Sequence, residues 1–251
     1  YSASDVVNFL DCEHLTTRDW IFPETPLPKA EEDEETLLYM HKGIAHETSY
    51  LSHLQQQGLK IADISGFKEN LQDAVKTTSA AMRSGADIIY QAALQDGCFV
   101  GHADFLRKLP RPSDLGAFGY EVIDTKLARN AKAGYLVQLC FYSELVARIQ
   151  GQDPLMMHIV LGDRREESYR YADYSRYYAN LKQRFLVRVE ADPVETYPDP
   201  RERCDICRWQ NLCEERRVDD DHLCQVAGIT QMQIRKLKAH GVETLEALAE
   251  L

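Results

Sequence analysis

Apolar residues recur along the chain with two spacings, one typical of amphipathic helices and one typical of strands. Helical spacing predicts helices over residues 4–12, 31–57, 68–83, 133–150 and 175–190. Short apolar runs predict strands over residues 88–94, 98–106, 120–125 and 155–161. The dipeptide Asp96-Gly97, between the first two strands, is a strong hairpin signal.

The order of these elements predicts an α/β fold. Helices, an antiparallel hairpin, a strand, a crossover helix and another strand give a mixed β-sheet core flanked by helices. Within the long second helix, the pattern predicts one buried face, made of Leu37, Leu38, Ile44, Leu51 and Leu54.

The composition is that of a globular protein, with 44% hydrophobic and 27% charged residues. A chain of 251 residues is expected to form one domain plus an appendage. No apolar run approaches the roughly 20 residues that cross a bilayer, and no signal peptide is evident, so we expect no membrane contact. An odd count of seven cysteines favours a reducing, cytoplasmic location over a disulfide framework. The start at Tyr1 and the stop within a helical pattern at Leu251 suggest a fragment of a longer polypeptide.

Charge is distributed unevenly around a net value of −11. Residues 31–35 are all acidic, at the predicted start of a helix, where carboxylates suit the helix dipole. Residues 164–188 instead hold seven Arg or Lys against three acids, interleaved with tyrosines. This mixture suits a single nucleic-acid strand, because phosphates take the charge and bases stack on rings. The alternative is a solvated helix face whose tyrosines pack on a core.

Three cysteines near the C-terminus, Cys204, Cys207 and Cys213, have the spacing C-x2-C-x5-C, and Cys12 lies near the other end. Thiolates clustered in this way hold a metal ion or an iron–sulfur cluster. Structural zinc usually takes two compact C-x2-C pairs, so one remote cysteine with a tight trio fits zinc less well. Either group would close a long loop and stabilise the fold by restricting the unfolded chain.

Asp124 and Lys126 lie two residues apart on a predicted strand, so their side chains share one face. Asp104, at the end of the preceding hairpin strand, can reach the same edge of the sheet. Two carboxylates suit a hard cation such as Mg²⁺ or Mn²⁺. Lys126 could orient or deprotonate the attacking water and balance transition-state charge. Taken alone, D-x-K is also the pattern of an ordinary surface ion pair.

Two helical motifs add to this pattern. Gln138 and Tyr142 are spaced i and i+4 on the helix predicted after the strand, so they face the same way. Upstream, the long helix contains Gly43-x-x-His46, which offers an imidazole ligand. The ordered series G-x-x-H, G-x-x-D, D-x-K and Q-x-x-x-Y is far less expected by chance than any one of its parts.

Over roughly residues 1–215 the chain resembles the RecB-like branch of the PD-(D/E)XK nuclease superfamily. The resemblance implies a restriction-endonuclease-like sheet core. The metal ligands that it implies are His46, Asp104, Asp124 and the Thr125 carbonyl. The catalytic residues that it implies are Asp104, Asp124, Lys126, Gln138 and Tyr142, the last two supporting the site and the DNA backbone. Residues 122–128 and 138–142 are especially similar to predicted RecB-like nucleases of multidomain proteins.

The cysteine layout resembles that of an iron–sulfur subset of this branch, which includes the AddB-type and CRISPR adaptation nucleases. In this subset, one cysteine precedes the nuclease core and a C-x2-C-x5-C follows it. The resemblance implies a [4Fe-4S] cluster on Cys12, Cys204, Cys207 and Cys213, with zinc or an empty site as the alternatives. It implies a nuclease domain over residues 1–218, whose N- and C-terminal parts the cluster joins.

The remaining residues, 219–251, form a polar segment that also contains leucines. Residues 226–230 and 237–245 look like a helix-hairpin-helix unit, which grips phosphates through backbone amides. The alternative is a small, truncated helical connector to a downstream domain.

These motifs predict a Mg²⁺- or Mn²⁺-dependent deoxyribonuclease that hydrolyses phosphodiester bonds in single-stranded or end-bearing DNA, in repair, recombination or defence. The expected partners are DNA and further domains or subunits of a larger protein. A second hypothesis is a catalytically inactive nucleic-acid-binding module of a nuclease-helicase, and a third is a zinc-stabilised interaction module. The paired carboxylates and the lysine favour the enzyme, because a binding module has no need of them.

Overall fold

The computed structural model of the chain describes residues 1–28, 34–67, 70–191 and 194–251. Acidic residues 31–33 and the predicted helix start at residue 68 lie outside these ranges. The chain divides into two compact units, the first Tyr1–Leu10 with Glu34–Arg188 and the second Asp11–Asp33 with Val189–Leu251. Among the described residues, no helix combines the length and the apolar character needed to cross a membrane.

Within the described part of the chain, the first unit is built on a six-stranded mixed β-sheet. In both chain order and spatial order, the strands are β1 (Ile61–Asp63), β2 (Ile88–Asp96), β3 (Phe99–Leu109), β4 (Gly119–Thr125), β5 (Met156–Val160) and β6 (Glu166–Arg170). β1 runs parallel to β2 and β4 runs parallel to β5, whereas the other neighbours are antiparallel. The α/β fold with a mixed sheet, predicted from the sequence, is confirmed.

The described part of the chain also contains α-helices in both units. In chain order they are α1 (Ala3–Asp11), α2 (Glu13–Ile21), α3 (Glu34–Gln56), α4 (Leu71–Ser84), α5 (Ala133–Gln150), α6 (Tyr171–Glu190), α7 (Gln210–Asp219), α8 (Gln231–Ala239) and α9 (Leu245–Ala249). Local chemistry explains the ends of α4. The Asn70 side chain accepts a hydrogen bond from the Asp73 backbone N–H, and Gly85 ends the helix in the left-handed region.

The sequence pattern misses α2, α7, β1 and β6. β1 has only three residues, and β6 alternates exposed and half-buried side chains. Both strands lie at the edges of the sheet, so neither contains the apolar run that marks a buried strand. α2 follows α1 after the single residue Cys12, in a stretch whose prolines suggest irregular structure.

The core of the first unit is packed around β4. This strand is buried along its whole length apart from the half-buried Thr125. α3 and α5 both contact β4, while α4 contacts β2. Leu54 of α3 packs in one buried cluster with Phe105 of β3 and Ile123 of β4. The strand that carries the D-x-K motif is therefore held rigidly from several sides.

The predicted apolar face of α3 is wrong over the N-terminal half of the helix. Leu37, Leu38 and Ile44 are exposed. Leu54 is buried and Leu51 packs against the same cluster. The reason is that α3 contacts the apolar core near its C-terminal end, through Leu51 and Leu54, and not along its full described length.

The basic and aromatic segment mostly follows the alternative interpretation, in which its tyrosines pack on the core. Tyr171 and Tyr178 are buried, and the Tyr178 hydroxyl donates to Glu144 at 2.9 Å. The Lys182 ammonium pairs with the same carboxylate at 2.7 Å. Tyr177 remains 58% exposed, so only part of the segment is open to a ligand.

Two small apolar clusters lie among the described residues of the second unit. One cluster is formed by the buried residues Leu15, Trp209 and Cys213, and the other by Leu223, Ile234 and Val242. Residues 219–251 therefore lie in the same compact unit as the cysteine region. Gly228 and Gly241, which precede α8 and α9, have φ values of 76° and 84°, so glycine's tolerance of positive φ permits these turns.

Candidate functional site

Asp124 is a fully buried carboxylate on the central strand β4. Its Oδ2 lies 2.7 Å from the Lys126 Nζ in an ion pair, yet neither carboxylate oxygen accepts a hydrogen bond of good geometry. A buried carboxylate whose oxygens accept no well-aligned hydrogen bond is costly, and such an exception in a folded protein calls for a functional explanation. Burial raises its pKa to about 7, against the attraction of Lys126, and the charges of Asp104 and Glu47 add to the rise.

Lys126 follows β4 directly, and its backbone N–H donates to the Val160 carbonyl at 2.9 Å. Burial alone would lower the pKa of its ammonium group, but the carboxylates of Asp124 and Asp104 raise it. Its Nζ also lies 5.4 Å from the centre of the Tyr135 ring. The lysine therefore stays charged and acts as the counter-ion of the acidic site.

Asp104, on β3, anchors the end of β4. Its Oδ2 accepts hydrogen bonds from both the backbone N–H and the hydroxyl of Thr125, each at 2.8 Å. Among the described residues, no donor reaches its other oxygen, Oδ1. Because the charge of Asp104 raises the pKa of Asp124, the two carboxylates lie close enough to act on one another. The sequence prediction that Asp104 ends its strand is wrong, because β3 continues to Leu109, although Asp104 and Asp124 do lie on neighbouring strands.

His46 is held by a backbone carbonyl. Its Nε2 lies 3.2 Å from the Val160 oxygen, the same oxygen that accepts from the Lys126 N–H. A carbonyl can only accept, so Nε2 carries the proton and Nδ1 keeps its lone pair in the neutral ring. Histidines that bind metals commonly donate their other ring N–H to a backbone carbonyl in this way. The tautomer therefore suits a ligand role.

Glu47 belongs to this site, although sequence reasoning missed it. Its Oε1 accepts from the Gln91 side chain at 2.5 Å, and it also forms a hydrogen bond with the Tyr90 hydroxyl. Its charge contributes to the raised pKa of Asp124. Gln91 has a positive φ of 54°. The register of β2 and β3 places Gln91 opposite Asp104, but these two residues are not paired in the sheet. The only sequence signal for Glu47 is its position directly after the motif histidine.

Gln138 and Tyr142, on α5, lie one turn apart, with the Gln138 amide 3.5 Å from the Tyr142 hydroxyl. Burial raises the pKa of Tyr142, and the carboxylates of Asp124 and Asp104 raise it further. Tyr142 is therefore close to the acidic site. Its ring also covers Gly101, the glycine of the G-x-x-D motif.

The four cysteines of the predicted cluster line one small pocket in the second unit, together with His14 and Trp209. All four are free thiols. The backbone N–H of Arg201 donates to the Cys204 sulfur at 3.2 Å, as suits a thiolate. Burial raises the pKa of Cys213 to about 11, and the other three cysteines contribute to the rise. This donor set has the chemistry that a metal ion or an iron–sulfur cluster requires.

Neither site has the geometry of a finished metal centre. Within the described ranges, no three or more His, Cys, Asp or Glu side chains are already arranged as a metal-binding group. The Lys126 ammonium lies beside Asp124, where a cation would bind, and the Thr125 hydroxyl donates a hydrogen bond to one oxygen of Asp104. Two donors nevertheless fit a cation: the unsatisfied carboxylate of Asp124 and the Nδ1 of His46.

The chain was also compared with known proteins. No protein-family model matches it, and no curated protein matches it. One solved structure, titled "Crystal structure of SSO0001", is similar over 86% of this chain and 85% of that chain, with 15% sequence identity and a TM-score of 0.35. A likeness of this size does not identify a shared fold or function.

Proposed function

We propose that this chain is a Mg²⁺- or Mn²⁺-dependent deoxyribonuclease of the RecB-like PD-(D/E)XK kind, acting on single-stranded or end-bearing DNA. The observation that carries the proposal is Asp124, a fully buried carboxylate that pairs with the Lys126 ammonium but accepts no well-aligned hydrogen bond from the described residues. A purely structural ion pair would gain little from such deep burial. A site that binds a cation accounts for both features.

The proposed metal ligands are His46, Asp104, Asp124 and the Thr125 carbonyl. A divalent cation held by these residues would supply Lewis-acid stabilisation and lower the pKa of a bound water. The Lys126 ammonium stabilises the extra negative charge that develops on the phosphate. The Tyr142 ring packs on Gly101 of β3, and Gln138 and Tyr142 would support the site and the DNA backbone from α5.

The order of the elements supports a restriction-endonuclease-like core. β2, β3 and β4 form an antiparallel meander, after which α5 crosses over to β5, parallel to β4. The acidic residues stand on β3 and β4, the two strands that the resemblance implies. A restriction-endonuclease-like core is therefore proposed for the first unit.

For the second unit, we propose a [4Fe-4S] cluster on Cys12, Cys204, Cys207 and Cys213. Its support is the shared pocket and the backbone N–H donor to a cysteine sulfur. The cluster would stabilise this unit by linking distant parts of the chain. Iron and sulfide analysis of anaerobically purified protein separates it from zinc.

The proposed activity is tested with end-labelled single-stranded and duplex DNA in Mn²⁺. Asp124→Asn and Lys126→Ala should each abolish cleavage while the circular dichroism spectrum and iron content stay unchanged. Lys76→Ala, a change on the exposed face of α4, is the matched control and should cleave like the wild type. Full cleavage by either site variant refutes the assignment. DNA binding by the wild type without any cleavage supports the inactive binding module instead.

A further inference from the structure

A cavity of about 370 Å³ lies beside the D-x-K site in the first unit. Its volume falls in the range of roughly 300–1,000 Å³ that small-molecule pockets occupy. His46 and Val160 belong to its lining. Since the Val160 carbonyl also accepts the Lys126 backbone N–H, the cavity begins one residue away from the proposed catalytic lysine.

One wall of the cavity is a row of hydrogen-bond donors. Ser49 and His53 lie one turn apart on α3 and so face the same way. The Arg164 guanidinium donates to the Ser49 hydroxyl at 3.1 Å, which holds it against this wall. The Gln57 amide donates to Nε2 of His53 at 2.9 Å, so Nδ1 of the neutral ring carries a proton that it can donate.

The cavity has an unbalanced positive charge. Arg107 is already neutralised by a two-pronged ion pair with Glu166, at 2.8 and 3.2 Å. A hydrogen bond from His158, together with Arg107, lowers the pKa of Glu166 to about 2, so this carboxylate stays ionised and paired. Arg164, by contrast, forms no ion pair with any acid in the described part of the chain. The Arg164 guanidinium is therefore available to pair with a negatively charged ligand.

We propose that this cavity, hereafter the Arg164 pocket, binds the terminal phosphomonoester of a nucleotide at the end of a DNA strand. The proposal deepens the proposed nuclease function and rests on it for the identity of the strand. A guanidinium, a hydroxyl and an imidazole N–H together match the several acceptor oxygens of a phosphomonoester. Because His46, a proposed metal ligand, belongs to the lining of the pocket, a strand end bound there would lie next to the proposed metal site.

The binding test uses calorimetry with the full chain in EDTA, so that no catalytic metal is needed. Thymidine monophosphate should bind, and thymidine should bind at least tenfold more weakly. Arg164→Gln and Ser49→Ala should each weaken binding of the monophosphate, the former at least tenfold. Arg165→Gln is the matched control, because Arg165 pairs with Glu167 at 3.1 Å and does not line the pocket. Equal binding of both ligands, or unchanged binding by Arg164→Gln, overturns the proposal.

A second measurement separates a free nucleotide from a strand end and distinguishes the two proposals. In Mn²⁺, the wild type should cleave a strand with a phosphorylated end faster than the same strand with a hydroxyl end. Arg164→Gln, checked for folding by its thermal melt, should lose that preference but keep residual cleavage. No preference in the wild type overturns the pocket proposal while the nuclease stands. Cleavage that survives Asp124→Asn overturns the nuclease assignment, and phosphate binding in EDTA then still supports the pocket.

Discussion

The Tyr142 ring lies so close to Gly101 that a Cβ on the glycine would come within 2.8 Å of the ring's Cε1. The two residues belong to motifs that are far apart in the sequence, G-x-x-D on β3 and Q-x-x-x-Y on α5. The glycine therefore allows the helix to approach the strand that carries Asp104.

We expect Gly101→Ala to destabilise the protein by about 1–3 kcal/mol, because the added methyl group must push the buried tyrosine aside. Gly43→Ala is the control. Gly43 lies within α3 with nothing near its missing Cβ, so alanine there should stabilise by about 0.5–1 kcal/mol. Urea unfolding measures both. Equal stability of the two variants would contradict the packing argument.

We expect Lys126→Met to cost about 3 kcal/mol of unfolding free energy in the absence of metal, because it leaves Asp124 buried and unpaired. The cost should grow as the pH rises above 7, because burial raises the pKa of Asp124 and Lys126 limits that rise to about 7, and without Lys126 the buried carboxyl must stay protonated or carry an unpaired charge. The double variant Asp124→Asn with Lys126→Met should recover most of the loss. A double variant as unstable as the single one would argue against a coupled pair.

Glu47→Gln should weaken Mn²⁺ binding about 10- to 100-fold, the usual effect of removing a carboxylate that supports a metal site. The physical reason is the loss of a negative charge that already acts on Asp124. Calorimetry of Mn²⁺ binding in the absence of DNA measures the change. Glu35→Gln, an exposed change at the start of the same helix, is the control, and equal affinities in the two variants would remove Glu47 from the site.

Cys204→Ser should remove the brown visible absorption of anaerobically purified protein and lower its iron content. Cys224→Ser should keep both, because Cys224 is a free cysteine of the same unit that does not line the four-cysteine pocket. A colourless wild type that contains zinc would defeat the cluster proposal.

Glu166→Gln should remove stability that the wild type has only above acidic pH. The pKa of Glu166 is lowered from 4.5 to about 2, chiefly by the hydrogen bond from His158 and by Arg107. A carboxyl whose pKa is lower in the folded state than in the unfolded state stabilises the fold at pH values above the unfolded-state pKa. This stabilisation is lost as the pH falls through the folded-state pKa. The difference in unfolding free energy between wild type and variant should therefore be full near pH 6 and shrink toward pH 2. A difference that does not change with pH would contradict this.

Local patterns predict the parts of the fold and the site that depend on sequence spacing. The two-residue spacing of Asp124 and Lys126 sets their shared face, and the i, i+4 spacing of Gln138 and Tyr142 sets theirs. The Asp96-Gly97 signal predicts a hairpin where β2 turns into β3. In each case, neighbours in the chain determine the geometry.

Tertiary contacts decide what the sequence could not reveal. Glu47 lies on α3 and contacts Tyr90 and Gln91 of β2, a tertiary contact that no spacing in the sequence signals. Leu37 and Leu38 have an amphipathic pattern, yet they are exposed because the sheet does not extend beneath them. Edge strand β6 has too few apolar residues to be recognised before β5 is in position beside it.

The position of His46 relative to Lys126 is fixed by one backbone oxygen, that of Val160. Every amino acid supplies the same carbonyl, so substitutions at position 160 that keep the strand intact leave this alignment unchanged. This alignment therefore tolerates substitutions at position 160 that would disrupt an alignment made by a side chain. A shift of the main chain, such as an insertion or deletion in β5, would separate the His46 imidazole from the Lys126 backbone N–H.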